Sequence, residues 1–345
     1  MKFRQTHSFD DVLLVPTKSD IESREEVDLT SKIGDCEFRL PIIASPMDTV
    51  TEGDMMLAMA QMGALGVLHR YNAPVHQASV FADVRMKLEE HENAFSSKLS
   101  VAIGATGDFE KRAKLLVDNG VRIICLDVAH GHHVLTERAI KTLKDAHGED
   151  LLIMAGNIAT PEAYHDLSNW GADAVRIGIG GGSICSTRVQ TGHGMPTLQS
   201  VMDCASLDGA AIIADGGIKT AGDIVKSLAA GADFVMLGSL LAGTDESPGD
   251  VLSSTDEKKY KVYRGMASVE AQVDWRGVAR SLEGVSTTIP YKGSVKEIVN
   301  NLESNIRSGL SYSGARTISE FQARANFVQQ SSAGQFESST HILSK

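Results

Sequence analysis

The sequence predicts an α/β fold, a (β/α)8 or TIM barrel, from three observations. Eight short apolar runs recur over about 200 residues, amphipathic segments separate most of them, and several runs end in polar residues or glycine. Strands that are covered on both faces are almost wholly apolar, whereas half-exposed strands alternate. A closed barrel of parallel strands with helices outside accounts for all three observations, and its chemistry lies where the strands end.

The predicted elements follow from these patterns in chain order. The apolar runs place the strands at Pro41–Ala44, Ala64–His69, Leu99–Gly104, Val121–Asp127, Leu151–Asn157, Ala174–Ile179, Ala211–Asp215 and Phe234–Gly238. Apolar residues at three- and four-residue spacing predict helices at Glu52–Met62, Asp108–Asn119, Val134–Ala146, Pro161–Trp170 and Ala221–Ala230. Proline suits the first turn of the fourth of these helices, where a missing N–H costs nothing.

We predict a single domain over residues 1–345, in which residues 41–242 form the barrel and a helix near residues 294–308 closes it. Residues 1–40 form a leader, and residues 309–345 form a polar tail. Residues 243–293 form an insertion that is polar, contains glycine and has no strong period. An insertion of this length is typical of a functional lid or of a disordered segment.

Composition and charge exclude several classes of protein. The chain of 345 residues is 42% hydrophobic and 22% charged, as globular proteins are. Its net charge of −11, without blocks of like charge, argues against a nucleic-acid binder, so any phosphate must be held locally by backbone amides and a helix end. We expect a reduced, cytoplasmic protein without membrane association, because we find no signal-peptide core, no membrane-length apolar stretch and no paired cysteines.

A glycine-rich loop with a cysteine follows the sixth predicted strand. It reads Gly-Ile-Gly-Gly-Gly-Ser-Ile-Cys-Ser-Thr-Arg over residues 178–188. Glycines let the backbone approach a ligand closely, and nearby amides or a helix N-terminus lower the pKa of a thiol. Cys185 is therefore a candidate nucleophile, and the alternative is a tight turn with a small buried thiol. Cys36, Cys125 and Cys204 fall in the leader, a strand and a helix, where a structural role is favoured.

Further candidate sites follow other predicted strands. Asp215-Gly216-Gly217 and Gly238-Ser239 come after strands seven and eight, where this fold commonly binds phosphate. The alternative is a glycine turn with an acid that caps a helix. Asp127 ends strand four and is a candidate contact to a second ligand. The three histidines after it have no carboxylate or cysteine at a metal-ligand spacing, so a metal site is disfavoured there.

These motifs together resemble the family of IMP dehydrogenases and GMP reductases over nearly the whole chain. The matching segments are SFDDVLLVP at 8–16, ASPMDTVTE at 44–52, DVAHGH at 127–132, AGN at 155–157, GIGGGSICSTR at 178–188, ADGGIK at 214–219, GSLLAGT at 238–244, YRGM at 263–266 and YKG at 291–293. The resemblance implies that Cys185 attacks carbon 2 of a purine nucleoside monophosphate. Other members of the family suggest a homotetramer.

The resemblance also implies roles for residues at the matching positions. The nucleotide would be held by Ser45, Met47, Ser183, Asp215, Gly216, Gly217, Gly238, Ser239, Tyr263, Gly265, Met266, Arg280 and Gly284. The nicotinamide side of a dinucleotide would be lined by Asp127, Val128, Ala129, Gly178 and Gly180. Carbonyl groups of Gly180, Gly182 and Cys185 match a monovalent cation site, which in the dehydrogenases takes potassium.

Two reactions compete within this resemblance. Many barrel motifs are similar to those of the dehydrogenases, which convert IMP, NAD and water to XMP. However, the insertion lacks the Arg-Tyr pair with which dehydrogenases activate water, and the stretch from Leu68 to Leu99 has no room for their paired regulatory (CBS) domain. The sequence GVARSLEG at 277–284 instead resembles the reductase lid, which implies that Arg280 contacts the base and that Thr187 and Glu283 handle the protons of ammonia.

We therefore predict a GMP reductase that uses NADPH, with an IMP dehydrogenase that uses NAD as the alternative. Two positions depart from the reductase pattern, because Ala267 and Leu282 stand where the reductases have serines that help to read the base. A third hypothesis is a nucleotide-binding protein without turnover. The presence of Cys185, Thr187 and Glu283 argues against it.

Overall fold

The computed structural model describes residues 3–90, 98–280 and 282–338, and it contains the predicted closed barrel of eight parallel strands. Strands β1 to β8 are Ile42–Ala44, Leu65–Leu68, Ser100–Ile103, Ile123–Asp127, Leu152–Ile158, Ala174–Ile177, Ala211–Asp215 and Phe234–Leu237. Each strand pairs with its neighbours in chain order, and β8 pairs with β1 to close the barrel. The prediction of the fold is confirmed, with strand ends that differ by at most two residues.

Helices surround the barrel. They are α1 Gly53–Gln61, α2 Pro74–Glu89, α3 Phe109–Asp118, α4 Val134–His147, α5 Pro161–Trp170, α6 Thr187–Thr191, α7 Thr197–Cys204 and α8 Ala221–Ala229. Helix α10, Val295–Ser311, packs against α8. The bounds of α2 and α7 were not predicted. In α2 the buried face carries the polar Gln77, which weakens the apolar period, and α7 has only eight residues.

The leader plugs the amino-terminal end of the barrel. Its two short strands, Ser31–Ile33 and Cys36–Phe38, form an antiparallel hairpin. The apolar residues of this hairpin join the side chains that fill the barrel interior, and the Phe38 ring meets the Phe234 ring edge-on at 5.7 Å. A closed barrel needs its interior filled, so the leader completes the core.

The leader also pairs with the tail. The leader strand Val12–Leu14 and the tail strand Phe327–Gln329 are antiparallel partners, and the tail carries two short helices, α11 Ile318–Arg324 and α12 Ser332–Glu337. The end of the predicted tail, residues 339–345, lies outside the described residues. Chain segments that are more than 300 residues apart thus form one small sheet.

The insertion, which we call the flap (residues 243–293), contains regular structure although its sequence has no strong period. Strands β9 Leu252–Ser253, β10 Lys259–Arg264 and β11 Ser286–Pro290 form an antiparallel sheet, and α9 Val269–Arg276 lies between the last two strands. In β10 the buried positions are Lys261 and Tyr263. Because one of these buried residues is a lysine, the alternation of buried and exposed positions does not show as an alternation of apolar and polar residues in the sequence. The Lys261 ammonium donates to the carbonyls of Thr244 and Ser247, at 2.9 and 2.6 Å.

Candidate active site

A cavity of about 380 Å³ opens at the carboxyl ends of the barrel strands. One side is formed by loops that follow the strands, and the other by the flap. The described side chains and glycines that line it include Met47, Tyr71, Ala129, Gly178, Gly180, Gly182, Cys185, Thr187, Tyr263, Gly265, Met266, Gln272, Arg276, Arg280, Glu283 and Gly284. The structure thus brings together residues that are up to 237 positions apart in the sequence, from Met47 to Gly284.

The glycine loop after β6 is shaped by close backbone contacts. Gly178 has φ +147°, and a Cβ atom at this position would lie 1.9 Å from the carbonyl oxygen of Asp215. Only glycine tolerates this combination of dihedral angle and contact. Arg188 stabilises the loop, because its guanidinium donates to the carbonyl of Ile179 at 3.2 Å and to that of Met195. The loop therefore places Cys185 at the cavity surface.

Cys185 begins a chain of hydrogen bonds that reaches the flap. Its thiol donates to Thr187 Oγ1 at 3.2 Å, and the Thr187 hydroxyl donates to Glu283 Oε2 at 2.7 Å. The backbone supports the same contact, since the Ser186 N–H donates to the Glu283 carbonyl at 2.9 Å and the Val285 N–H donates to the Ile184 carbonyl at 3.0 Å. This geometry provides a path for a proton between the thiol and a carboxylate.

The four cysteines, all among the described residues, differ sharply in environment. Cys185 is exposed, while Cys36, Cys125 and Cys204 are buried. Burial raises the pKa of Cys125 to about 11 and that of Cys204 to about 12. A thiol must lose its proton to act as a nucleophile, so the buried cysteines are inert and Cys185 is the reactive candidate.

The predicted nucleotide residues of three separate segments meet at Gly238. A Cβ atom there would lie 3.0 Å from the Tyr263 hydroxyl and 3.3 Å from both Ser45 Oγ and Met47 Sδ. Burial raises the pKa of Tyr263. The buried Ser45 Oγ has no hydrogen-bond partner among the described residues. Because an unpaired buried hydroxyl is costly, Ser45 is suited to contact a bound ligand.

The predicted phosphate residues adjoin a second, smaller cavity. Ser183, Gly217 and Ser239 line this space of about 210 Å³ together with residues of the leader, and Gly216 lies against Gly181 and Gly182 in the glycine loop. The loops after β6, β7 and β8 therefore converge there, as the fold predicts for a phosphate site. Glycine at these positions leaves the backbone accessible to an anion.

Arg176 links the two predicted acidic residues and was missed by sequence reasoning. It lies in β6 with its side chain only 6% exposed. Its guanidinium donates to Asp127 Oδ1 at 2.8 Å and to Asp215 Oδ2 at 3.0 Å. Asn157 also donates to Asp215 Oδ2, at 2.8 Å, while Arg70 approaches Asp127 at 3.4 Å. The only signal in the sequence was a charged residue within an otherwise apolar strand.

These contacts fix the charges of Asp127 and Arg176. Burial opposes ionisation of Asp127, but the positive charges of Arg176 and Arg70 outweigh it and lower the pKa of Asp127. Burial would lower the pKa of Arg176, and the neighbouring Cys125, Asp215 and Asp127 raise it well above its usual value instead. Asp127 and Arg176 are therefore both ionised at neutral pH. The pair holds a carboxylate at the end of β4, where a second ligand was expected.

The residues predicted to line the nicotinamide side differ in how they meet the cavity. Ala129, Gly178 and Gly180 line the cavity, whereas the N–H of Val128 donates to the Gly156 carbonyl at 3.1 Å. His132 hydrogen-bonds to Asp166 at 2.9 Å instead of joining a metal cluster. Within residues 3–90, 98–280 and 282–338, no group of histidine, cysteine and acidic side chains is arranged to hold a metal ion.

Comparison with known proteins places this geometry in one family. The family model for the IMP dehydrogenase / GMP reductase domain matches residues 6–341. Among curated proteins, an inosine-5'-monophosphate dehydrogenase of Nitrosopumilus maritimus is 34% identical, covering 99% of each chain. A GMP reductase of Leishmania donovani is 32% identical, covering 98% of this chain and 97% of the other.

A solved structure gives the same result at the level of the fold. The crystal structure of a GMP reductase from Trypanosoma brucei in complex with guanosine 5'-monophosphate has a TM-score of 0.91 and 30% identity, and covers 98% of both chains. Among the described residues, no helix has the length and apolar character that crossing a bilayer requires.

Proposed function

Because the chain belongs to the family of IMP dehydrogenases and GMP reductases, we propose that it is a GMP reductase. The reaction consumes GMP, NADPH and two protons, and releases IMP, NADP and ammonium. The observation that carries this proposal is the hydrogen-bonded chain from Cys185 through Thr187 to Glu283. A carboxylate paired with a hydroxyl beside the nucleophile is suited to protonating a leaving amine.

The chemistry proceeds through a covalent bond to Cys185. The sulfur adds to carbon 2 of GMP while the thiol proton passes to Thr187 and Glu283. The bond from carbon 2 to the amino group then breaks, and ammonia leaves with protons from the same pair. A bound NADPH would supply the hydride to carbon 2, and cleavage of the carbon–sulfur bond would then return the sulfur to Cys185 as a thiolate and release IMP. In this scheme Glu283 first accepts a proton and later donates one.

The other residues bind and orient the reactants. Ser183, Gly217 and Ser239 of the smaller cavity are proposed to hold the phosphate. The rest of the nucleotide would be held by Ser45, Met47, Gly216, Gly238, Tyr263, Gly265, Met266, Arg280 and Gly284. Asp215 is proposed to bind the ribose. Its Oδ2 accepts hydrogen bonds from Asn157 and Arg176, and its Oδ1 accepts none from the described residues, so Oδ1 is available to a ribose hydroxyl. Asp127, Val128, Ala129, Gly178 and Gly180 form the nicotinamide side.

Gly180, Gly182 and Cys185 are the proposed carbonyl ligands of a potassium ion. The Gly182 carbonyl accepts the Cys185 N–H at 3.1 Å, which leaves it one lone pair for a cation. We further propose that the protein is a homotetramer, as related enzymes suggest. Its composition fits a cytoplasmic location. The alternative function is an IMP dehydrogenase, which is favoured by the Nitrosopumilus maritimus relative and by the barrel motifs. Against it stands the lack of an Arg-Tyr pair between Gly265 and Gly293.

Two parallel assays on the purified protein test the proposal. One contains GMP and NADPH, the other contains IMP, NAD and potassium, and the absorbance of reduced nicotinamide is followed in both. We expect loss of absorbance with GMP, formation of IMP, and no reaction in a Cys185→Ala control. A gain of absorbance with IMP and release of XMP would instead establish the dehydrogenase. Tight nucleotide binding without product or cysteine adduct would contradict both enzymatic functions.

A further inference from the structure

We propose that Tyr71 and Trp275 are positioning residues, which dock the flap helix α9 on the barrel rim and thereby keep Glu283 against Thr187. Tyr71 follows β2, and Trp275 lies near the end of α9. Their rings stack with centroids 5.7 Å apart and planes inclined by 14°. The kinetic part of this inference rests on the proposed reductase function, whereas the docking itself does not.

The barrel side of this contact is rigid. The Tyr71 N–H donates to His69 Nδ1 at 3.2 Å, and the buried His69 ring bonds through Nε2 to Glu52 at 3.0 Å. Arg112, which is buried in α3, donates to the Asn72 carbonyl at 2.8 Å and so fixes the residue after Tyr71. The loop after β2 therefore presents the Tyr71 ring in a defined place.

The flap side of the contact has few other points of attachment. Helix α9 has eight residues, of which only Ala271 and Gln272 are buried. Trp275 meets Tyr71 on the barrel, and the Arg112 guanidinium lies over the Trp275 ring at 5.9 Å. The carboxylate of the neighbouring Asp274 accepts a hydrogen bond from the Arg264 guanidinium, which also donates to Asp48. Because a helix of this length is not stable by itself, these contacts determine where it lies.

The position of α9 is transmitted to the reacting groups through Gln272. Its amide donates to the Ala267 carbonyl at 2.9 Å, and its Oε1 accepts the Arg280 N–H at 2.9 Å. The start of the helix also packs on the residue after Glu283, since a Cβ atom on Gly284 would lie 3.0 Å from the Ser268 nitrogen. A displaced helix would therefore shift both segments that carry Arg280 and Glu283.

Fluorescence tests the docking without requiring turnover. The chain has two tryptophans, so in a Trp170→Phe protein the emission comes from Trp275 alone. In that background, we expect Tyr71→Ala to shift the emission to longer wavelength and to increase quenching by acrylamide, because the indole loses its partner. Tyr71→Phe, which keeps the ring, should restore the emission of the parent. Equal emission and quenching in the alanine and phenylalanine variants would overturn the docking.

Kinetics test the link to Glu283. We expect Tyr71→Ala to lower kcat for GMP reduction by about tenfold with little change in the KM for GMP, since a stacked aromatic pair stabilises the docked position of α9 by about that factor. Val273→Ala, on the exposed face of the same helix, is the matched control and should retain the parent kcat.

A double-mutant cycle separates a positioning role from general damage. If Tyr71 acts through Glu283, the effect of Tyr71→Ala disappears in a Glu283→Gln background. Additive losses in the two backgrounds would refute the positioning role. If the parent protein does not reduce GMP at all, the proposed function fails, and the fluorescence comparison still decides whether the aromatic pair docks the flap.

Discussion

Replacement of Arg176 by methionine removes a buried cation that two partly buried carboxylates share. Arg176 lies 2.8 Å from Asp127 and 3.0 Å from Asp215, and the three side chains are 6%, 18% and 16% exposed. Methionine fills a similar volume, but among the described residues it leaves Asp127 with the longer contact to Arg70 and Asp215 with the amide of Asn157. Removal of one partner from a fully buried ion pair costs about 3–5 kcal/mol. Because both carboxylates are partly exposed and each keeps another partner, we expect a loss near the lower end, about 3 kcal/mol, in the free energy of unfolding at neutral pH.

The pH dependence of this loss has a definite sign. In the folded protein the pKa of Asp127 is lowered, so its contribution to stability is present above the unfolded value of about 3.9 and is lost as the pH falls through the folded value. Without Arg176 the effect of burial on Asp127 is opposed by the more distant Arg70 and no longer by two cations, so the folded pKa of Asp127 rises. The variant then takes up a proton at higher pH than the parent does, so the difference in stability shrinks as the pH is lowered.

Equilibrium unfolding in urea, followed by circular dichroism at pH 7.5 and pH 4.5 and at fixed protein concentration, measures both effects. Arg122→Met is the matched control, because Arg122 pairs with Asp35 at 3.4 Å on the exposed surface, where an ion pair contributes about 1 kcal/mol or less. The reasoning is refuted if Arg176→Met costs no more than the control, or if its deficit grows as the pH falls.

Three further predictions concern the loop and the reacting groups. Glu283→Gln should lower kcat for GMP reduction by about 10²–10³-fold with little change in the KM for GMP, as measured by NADPH absorbance; a kcat within a few-fold of the parent would contradict the proton role. Thr187→Ser should keep most of the activity, whereas Thr187→Val should match the loss in Glu283→Gln, and equal activity of the two variants would exclude a role for the hydroxyl. Gly178→Ala should lower the free energy of unfolding in urea by about 3 kcal/mol or more, since its Cβ atom would lie 1.9 Å from a carbonyl oxygen. The control Gly192→Ala, at φ +71° but in open space, should cost only about 1 kcal/mol. Similar losses in both variants would argue against the close contact.

The cysteine loop illustrates what was readable from the sequence. Its four glycines and Cys185 fall within residues 178–185, directly after a strand that is itself a local apolar run, so the position of the loop at the barrel mouth followed from the pattern. The assignment of Thr187 and Glu283 to one site depended on the resemblance to a family, because 96 residues separate them. The structure brings the two within 2.7 Å, and their roles in catalysis remain predictions.

Other features had no local signal. Arg176 interrupts an apolar strand without indicating which carboxylates it meets, and Lys261 is buried in a strand that reads as polar. The stack of Tyr71 on Trp275 joins residues 204 positions apart. Aromatic and charged side chains also occur on surfaces, so their presence in the sequence alone does not distinguish the two environments.

The sequence by itself determined the barrel, its strands and the loop that carries Cys185, because each depends on the periodicity of neighbouring residues and on glycine at positions of tight backbone. Only the tertiary structure decided the order within the flap, the leader hairpin that fills the barrel, and the shared cation between Asp127 and Asp215. These features depend on contacts between distant segments. Their partners are selected by packing and by the need to pair buried charge, which are properties of the assembled fold.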